Sequence, residues 1–285
     1  MSYFSLITWN IDFDTPFGYE RVSAIADAVL VEKPCVVLLQ EVSDMPFSFW
    51  QGGKDNRSPN TTRCENSSYK LLLRYLSDQY EPIVDLGLPS EQTYFVMAFV
   101  KRDVSHVRGY EYTEFENTTQ GRGLLSVELS PKASDDDIVL RIFTSHLESG
   151  VTSADARLEQ MRWIASEMAR HSAPAIFAGD TNFRDKEAEK LRQELAKRRA
   201  AGGKRLHDLF VEMGEPQHFR FTWDTRTNTN KIRDLPYRVR PRARFDRIFY
   251  TEPFRANAIR LIGRERLPVS VFPSDHYGVY GELRF

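Results

Sequence analysis

The run CVVLLQ at 35–40 is the most restrictive stretch of the chain, because no polar side chain interrupts it before Gln40. A strand of that composition is buried on both faces, so the fold must supply a layer on each side of its sheet. YFSLITWNI at 3–11 is β-branched and aromatic and reads as a second strand. Between them Val22, Ile25, Ala26, Val29 and Leu30 recur on one helical face, and Pro34 ends that helix. Further strands are expected at 94–101, 123–129, 138–145, 175–179, 244–250, 258–262 and 277–284. Helices are expected at about 153–170, where Leu158, Met161, Ile164, Ala165 and Met168 share a face, and near 185–199. No linker is long enough to divide the chain, and QGGKDNRSPNTTRCENSS at 51–68 reads as a surface loop. The expectation is a single α/β domain over 1–285 with helices outside the sheets.

Composition narrows the function. A net charge of −1 argues against a general polyanion binder but leaves room for local patches. Two cysteines without a C-x-x-C pair predict neither a disulfide framework nor structural zinc. The start MSYFSLITWN lacks a secretory pattern, and no apolar run approaches the roughly 18 residues of a membrane span. An intracellular chain without membrane contact is expected. Its glycosylation-type triplets at Asn60, Asn66 and Asn117 would then stay unmodified.

Several expected strands end in polar groups that a core rejects. The first closes with Trp9-Asn10-Ile11-Asp12 and the second with Gln40-Glu41; later ones deliver Ser145-His146-Leu147-Glu148-Ser149 and Asp180-Thr181-Asn182. Asp246 sits inside the apolar frame RFDRIFY, and PSDHYG sets Asp275 and His276 before the last strand. Singly, each is a cap, a turn or a satisfied structural residue. Their number changes the weighing, because strand ends on one edge of a sheet converge in space. Glu41, Asp12, Asp180 and Asp275, with the amides of Asn10 and Asn182, form a hard, oxygen-rich set that favours magnesium or manganese over zinc. Two histidines beside such a metal suit phosphate chemistry. There is no G-x-S-x-G elbow, no P-loop and no H-E-x-x-H.

The motifs TWNID, LLQEV, TSHLES, FAGDTNFRD, FTWDT, RFDRIFY and FPSDHYG, in that order from residue 5 to the end, resemble the endonuclease/exonuclease/phosphatase superfamily. GDTN-x-RD, HLES and TWDT are most similar to its branch that cleaves tyrosine–DNA links. The resemblance implies a four-layer α/β sandwich of the DNase I type, two mixed β-sheets packed face to face with helices outside. It implies magnesium-dependent hydrolysis, manganese substituting, of the phosphodiester joining a tyrosine to a DNA 5′ end, as left by an abortive type II topoisomerase; the alternatives are another branch of the superfamily (an abasic-site endonuclease, a deadenylase or a small-molecule phosphatase) and a non-catalytic DNA-end-binding module. DNA with such an end, and tyrosine-linked RNA, are the implied partners, a nuclear monomer the implied form. The sequence departs at Phe13-Asp14, where the family has a glycine, at Gly150 in place of threonine, at Tyr277 in place of tryptophan, and at the 51–68 insertion.

On this resemblance Glu41 is the main metal ligand, with Asp12, Asn10 and Asp275 close by or acting through water. Asp180 accepts the proton of the attacking water and Asn182 orients it. His146 and His276 donate to the phosphate, and Asp246 holds His276 in one tautomer and favours its charged form. Ser149 and Arg184 face the phosphate and DNA end, with Tyr94 and Arg122 as further substrate contacts. Trp223 is either a stacking face for the 5′ nucleotide or core. From geometry alone, Gly179 is expected to turn the chain, Asp180 and Asn182 to share a side in extended backbone, and Asp185 to cap the next helix. Arg238, Arg240, Arg242 and Arg244 would form a phosphate-contacting stripe if extended, or a solvated loop. KRRAAGGKR at 197–205 is a helix end plus loop rather than a localisation signal.

Overall fold

The computed structural model describes residues 3–50, 67–84, 93–132, 139–170, 172–200 and 205–285. In chain order the elements are β1 (Tyr3–Asn10), α1 (Gly18–Glu32), β2 (Val36–Val42), α2 (Phe47–Trp50), α3 (Ser68–Leu76), β3 (Tyr80–Ile83), β4 (Phe95–Lys101), β5 (Ser105–Glu114), β6 (Gly123–Pro131) and β7 (Leu140–Ser145). They continue with α4 (Ala154–Arg170), β8 (Ala175–Asp180), α5 (Asp185–Ala200), β9 (His207–Asp208), α6 (Leu209–Glu212), β10 (Trp223–Asp224), β11 (Arg242–Ala243), β12 (Asp246–Tyr250), β13 (Arg255–Ile262) and β14 (Gly278–Arg284). One six-stranded sheet runs β13-β14-β1-β2-β4-β3 and the other β5-β6-β7-β8-β12-β9. Each is mixed: β1 and β2 are parallel, as are β7 and β8, while their other neighbours run antiparallel.

Three apolar clusters define four layers. Leu6, Leu38, Ala98, Ile142, Ile176, Ala178 and Ile248 pack between the sheets. Ile7, Trp9, Val37 and Leu39 face the opposite way, onto Val22, Ile25 and Val29 of α1 and Leu72 of α3. Phe143 and Phe177 carry Leu158, Met161 and Ile164 of α4 and Leu191 of α5. CVVLLQ therefore sits where its composition requires, its two faces serving two different cores, each such side chain contributing about 1.5–3 kcal/mol by burial.

The inter-sheet layer positions the site. Along β1 the inward side chains are Phe4, Leu6, Thr8 and Asn10, spaced by two. The same count runs Val36, Leu38, Gln40 on β2; Leu140, Ile142, Thr144, His146 through β7; and Ile176, Ala178, Asp180 on β8. Tyr250, Ile248 and Asp246 on antiparallel β12 complete it. The apolar sandwich thus grades into polar groups at one end. Gln40 marks the border, its amide donating to Thr8 at 3.2 Å and across to Thr144 at 3.1 Å.

Some local expectations change. Gly179 does not turn the chain; it lies in β8, where a Cβ would stand 2.2 Å from the carbonyl oxygen of Ser145 on the adjacent strand. Close backbone approach requires the glycine there. β5 is hidden from periodicity because its edge position leaves most of it exposed, and α3 and β3 are too short to stand out as apolar runs. The 51–68 loop lies outside the described residues except for Ser67 and Ser68, and 201–204 of the basic stretch lie outside them also. No helix among the described residues is long and apolar enough to cross a membrane.

Candidate active site

One oxygen is the focus of the polar end. Asp180 Oδ2 accepts from Asn10 Nδ2 at 3.0 Å and lies 3.4 Å from His146 Nε2 and 3.8 Å from His276 Nε2. Four strand ends from both sheets meet there, and all four side chains are buried. Burial, with Asp246 adding to it, raises Asp180 above the usual carboxylate range, against the opposing pull of His276. Its other oxygen accepts the backbone N–H of Asn182 at 2.9 Å.

The two histidines are held differently. His276 Nδ1 is 2.8 Å from Asp246 Oδ2. Burial alone would push His276 down, but Asp246, Asp275 and Asp180 together hold it well above the ordinary imidazole value. It is a charged donor. His146 Nδ1 lies 2.9 Å from Arg122 Nη1, and because a guanidinium only donates, Nδ1 must accept and the ring proton sits on Nε2. Burial first, then Arg122 and His276, push His146 well below the ordinary value. It is a neutral donor. Both therefore carry a proton on the Nε2 that lies nearest Asp180.

Asn10 bridges this centre to an acidic one, its amide also donating to Glu41 Oε1 at 3.0 Å. Glu41 follows inward Gln40 immediately, yet a bulge between Leu39 and Val42 and a left-handed φ of 60° turn it toward the site. Burial, then the charges of Asp12 and Asp275, raise it to about 7. Asp275, its Oδ2 accepting from Trp223 Nε1 at 3.1 Å, is raised to about 6 by burial and Asp12 despite His276 and Lys231. Asp12 is set apart. Burial would raise it, but Arg21 and then Lys231, 3.0 Å away, bring it to about 2. Asp180, Asp246 and His276 also place ligand atoms within 4.8 Å of one another, but His276 already supplies the cation there. Glu41 and Asp275 are the acids whose burial and mutual repulsion ask for a hard cation, and their oxygen chemistry fits one.

The remaining expected residues divide. Tyr94 stacks on Phe13 at 4.6 Å, lies 6.5 Å from the His146 ring and carries the Arg122 guanidinium 5.2 Å from its centroid. Trp223 is half-buried, its ring packed on Phe245 and its indole fixed on Asp275, so it belongs to the site wall rather than to the core. Ser149 is tied to Gln120, its backbone N–H donating to Gln120 Oε1 at 2.8 Å. Arg184 is half-exposed, 3.8 Å from Glu187 and within 3.5 Å of the Gly150 carbonyl.

Asn182 departs from expectation: its φ of 52° is left-handed, so it does not align with Asp180 as in a strand, and its amide donates to the Leu147 carbonyl at 3.1 Å. Asp185 is the first residue of α5, and its carboxylate accepts from Arg220 rather than from the helix. The arginine stripe does not form, since Arg242 is spent on Asp224 and Arg244 on Asp208. Glu148 is a loop clamp, accepting from Thr118 and Thr119; the Asn117 amide donates to Glu159. Gly150 has φ 93°, which a threonine would adopt only under strain. Lys231 escaped sequence reasoning, as no local pattern links NTNK to Asp12.

The sequence model described as "Endonuclease/Exonuclease/phosphatase family" matches residues 7–276. Human tyrosyl-DNA phosphodiesterase 2 is 32% identical over 296 residues, covering 99% of this chain and 68% of the relative. The bovine protein of that name is 31% identical over 288 residues, covering 98% and 67%. Among solved structures, Danio rerio tyrosyl-DNA phosphodiesterase 2 complexed with single-strand DNA product superposes with a TM-score of 0.76 at 26% identity, covering all of both chains. The Caenorhabditis elegans protein shares the fold, with a TM-score of 0.74 at 22% identity, covering 99% of this chain and 75% of that one.

Proposed function

The chain belongs to the endonuclease/exonuclease/phosphatase family, and on that premise we propose that it hydrolyses the phosphodiester between a tyrosine and the 5′ end of DNA, the adduct a type II topoisomerase leaves when it aborts. The observation that carries the reading is the convergence on Asp180 Oδ2 of one donating amide and two imidazole Nε2 atoms within 3.8 Å, one ring charged and the other neutral. A tetrahedral phosphate seated there would take hydrogen bonds from His146 and His276 on non-bridging oxygens, where negative charge grows during attack. His276 contributes full charge, maintained by Asp246; His146 contributes direction, fixed by Arg122.

Asp180 is the base. Its raised proton affinity suits acceptance of a proton from water, and Asn10 and Asn182 set its rotamer through the 3.0 Å and 2.9 Å contacts. Glu41 and Asp275 would hold the divalent cation, magnesium or in its place manganese, with Asp12 kept aside by Lys231. That ion supplies charge neutralisation at the phosphate. The leaving group needs little protein help, because a phenol has a pKa of about 10 against about 15.7 for water. Trp223, Tyr94 and Phe13 offer flat faces beside the centre for a terminal nucleotide, recognition by stacking being indifferent to base identity. Arg184, half-exposed beside the Gly150 carbonyl, and Ser149 would contact the continuing strand.

The test is a magnesium-dependent assay on a 5′-tyrosyl oligonucleotide, with a 3′-tyrosyl strand and an abasic duplex alongside. Release of tyrosine from the 5′ strand alone is expected. Cleavage confined to the abasic duplex would reassign the protein to another branch of the family.

A further inference from the structure

Behind the catalytic centre, on the outer side of the second sheet, α5, α6 and the β12 strand enclose a cleft of about 420 Å³. That size lies in the range of small-ligand sites. Its lining is mixed: Leu191 and Leu195 from α5, with Leu206, Phe210 and Phe249, supply the apolar part, and charged side chains supply the rest. Its charges are unevenly matched. Around the lining, Arg192 forks onto Glu189, Arg205 pairs with Glu212 at 2.8 Å and Arg220 with Asp185 at 3.0 Å; Glu215, exposed, is the remaining acid. Deeper in, two guanidiniums share one carboxylate. Arg244 takes Asp208 in a two-pronged grip at 3.0 and 2.9 Å, lying over Phe210 with 4.5 Å to the ring centroid. Arg247 reaches the same carboxylate only through Nη1 at 3.3 Å.

Arg247 is the unexplained group. It is 3% exposed, its Nε has no hydrogen-bond partner, and catalysis does not use it. A buried guanidinium is ordinarily matched by its own acid, and an unmatched one carries a large desolvation cost. Burial, then the neighbouring Arg244 charge, lower its proton affinity to about 9 despite Asp208 and the more weakly acting Asp185, and its other neighbour is the Phe183 ring, 6.0 Å away. The backbone fixes it there. On β12, inward Asp246 faces Asp180, so Arg247, the next residue, must point to the opposite side, where it stands opposite Gly179 in register.

We propose that this cleft is a second binding site, taking a small organic anion whose carboxylate or phosphate completes the Arg244–Arg247–Asp208 cluster and whose apolar body packs on Leu191, Leu195 and Phe249. The anion is held by a charge-assisted contact in a low-dielectric recess, where Arg rather than Lys matches a planar or tetrahedral oxyanion. The site is independent of the catalytic reading and stands even if the substrate assignment falls.

Calorimetry on the full chain with naphthoate, naphthyl phosphate and neutral naphthol decides it. Saturable single-site binding of an anion is expected, with naphthol weaker by about tenfold or more, the worth of one charge-assisted hydrogen bond. Preference for naphthoate or for the phosphate identifies the headgroup. Leu195→Trp should crowd the apolar part of the cleft and weaken binding while hydrolysis of the oligonucleotide stays unchanged, and Arg247→Met should weaken binding at least about tenfold. Amide NMR shifts in the unaltered protein locate the ligand without any substitution: Leu191, Leu195 and Phe249 should move, and His146 and His276 should not. No binding by either anion, equal binding of naphthol, or shifts confined to the histidines would each overturn the proposal.

Discussion

His146 and His276 approach Asp180 from opposite arms of one site, both buried and both presenting Nε2, yet one is neutral and the other charged. Burial pushes each toward neutrality, so burial does not separate them. What separates them is the group behind the ring: a carboxylate from β12 behind His276, a guanidinium from the 121–122 turn behind His146. The same side chain becomes a fixed cation in one arm and a fixed neutral donor in the other. A phosphate seated between them meets one charge and one oriented dipole. The arrangement limits the positive charge packed against Asp180, as the proposed base role requires.

Removing the group that both arms serve should have the largest effect. Asp180→Asn keeps the shape and the Asn10 contact but abolishes proton acceptance, and kcat should fall by about a thousandfold, within the range for loss of a general base. Binding of the 5′-tyrosyl oligonucleotide, followed by anisotropy, should be little changed. Near-normal turnover would take Asp180 out of the base role.

Converting one arm into the other comes next. Asp246→Asn removes the largest charge favouring protonated His276. The charged form is lost as pH rises through the folded value, so lowering that value moves the alkaline limb of kcat to lower pH. A drop of about a hundredfold at pH 8 that shrinks toward pH 6 is expected, as for loss of one charged transition-state contact. An unshifted alkaline limb would show that His276 does not act as a cation. The raised value also stabilises the fold: that contribution is complete below about pH 6.5 and disappears as pH rises through the folded value.

The acidic centre gives a third, intermediate test, because the cations beside it, Arg21 and Lys231, are drawn to Asp12 rather than to Glu41. With Glu41 at about 7 and Asp275 at about 6, protons compete for the oxygens offered to a metal. Apparent magnesium or manganese affinity should fall about tenfold per pH unit below 7 and more steeply below 6. Metal titrations of the free protein measure this without reference to turnover. Affinity that stays flat from pH 8 to 6 would exclude Glu41 as a ligand.

Much of this was legible in the sequence because a β-strand repeats every two residues. Counting two residues back from Asn10, His146 and Asp180, and two forward from Asp246 on antiparallel β12, lands on Thr8, Thr144, Ala178 and Ile248, so the polar ends are continuations of core faces. The illegible parts are those where backbone or partner is not local. Glu41 reaches the site through a bulge that no apolar pattern announces. Asn182 bends into left-handed backbone to return its N–H to Asp180. Lys231 pairs with Asp14 from 217 positions away. Gly179 reads from sequence as a turn, and the neighbouring strand that requires it is not visible there.

Arg122 supports the smallest and most diagnostic prediction. Its guanidinium touches His146, not Asp180, so it acts by position: it forces Nδ1 to accept and keeps the ring neutral. Arg122→Met preserves much of the stem that crosses Tyr94 while removing charge and donor. Two consequences follow with definite sign. The proton is no longer confined to Nε2, so a fraction of the rings present a lone pair to the phosphate, and kcat should fall by about three- to tenfold, a fraction of one hydrogen bond. The His146 value should rise toward the ordinary one, so the ring gains charge as pH falls, and its imidazole NMR signals, silent across neutral pH in the unaltered protein, should begin to titrate. A merely structural arginine would change neither the tautomer nor the titration. If both stay as they were while activity falls, the contrast between the arms does not rest on what stands behind each ring.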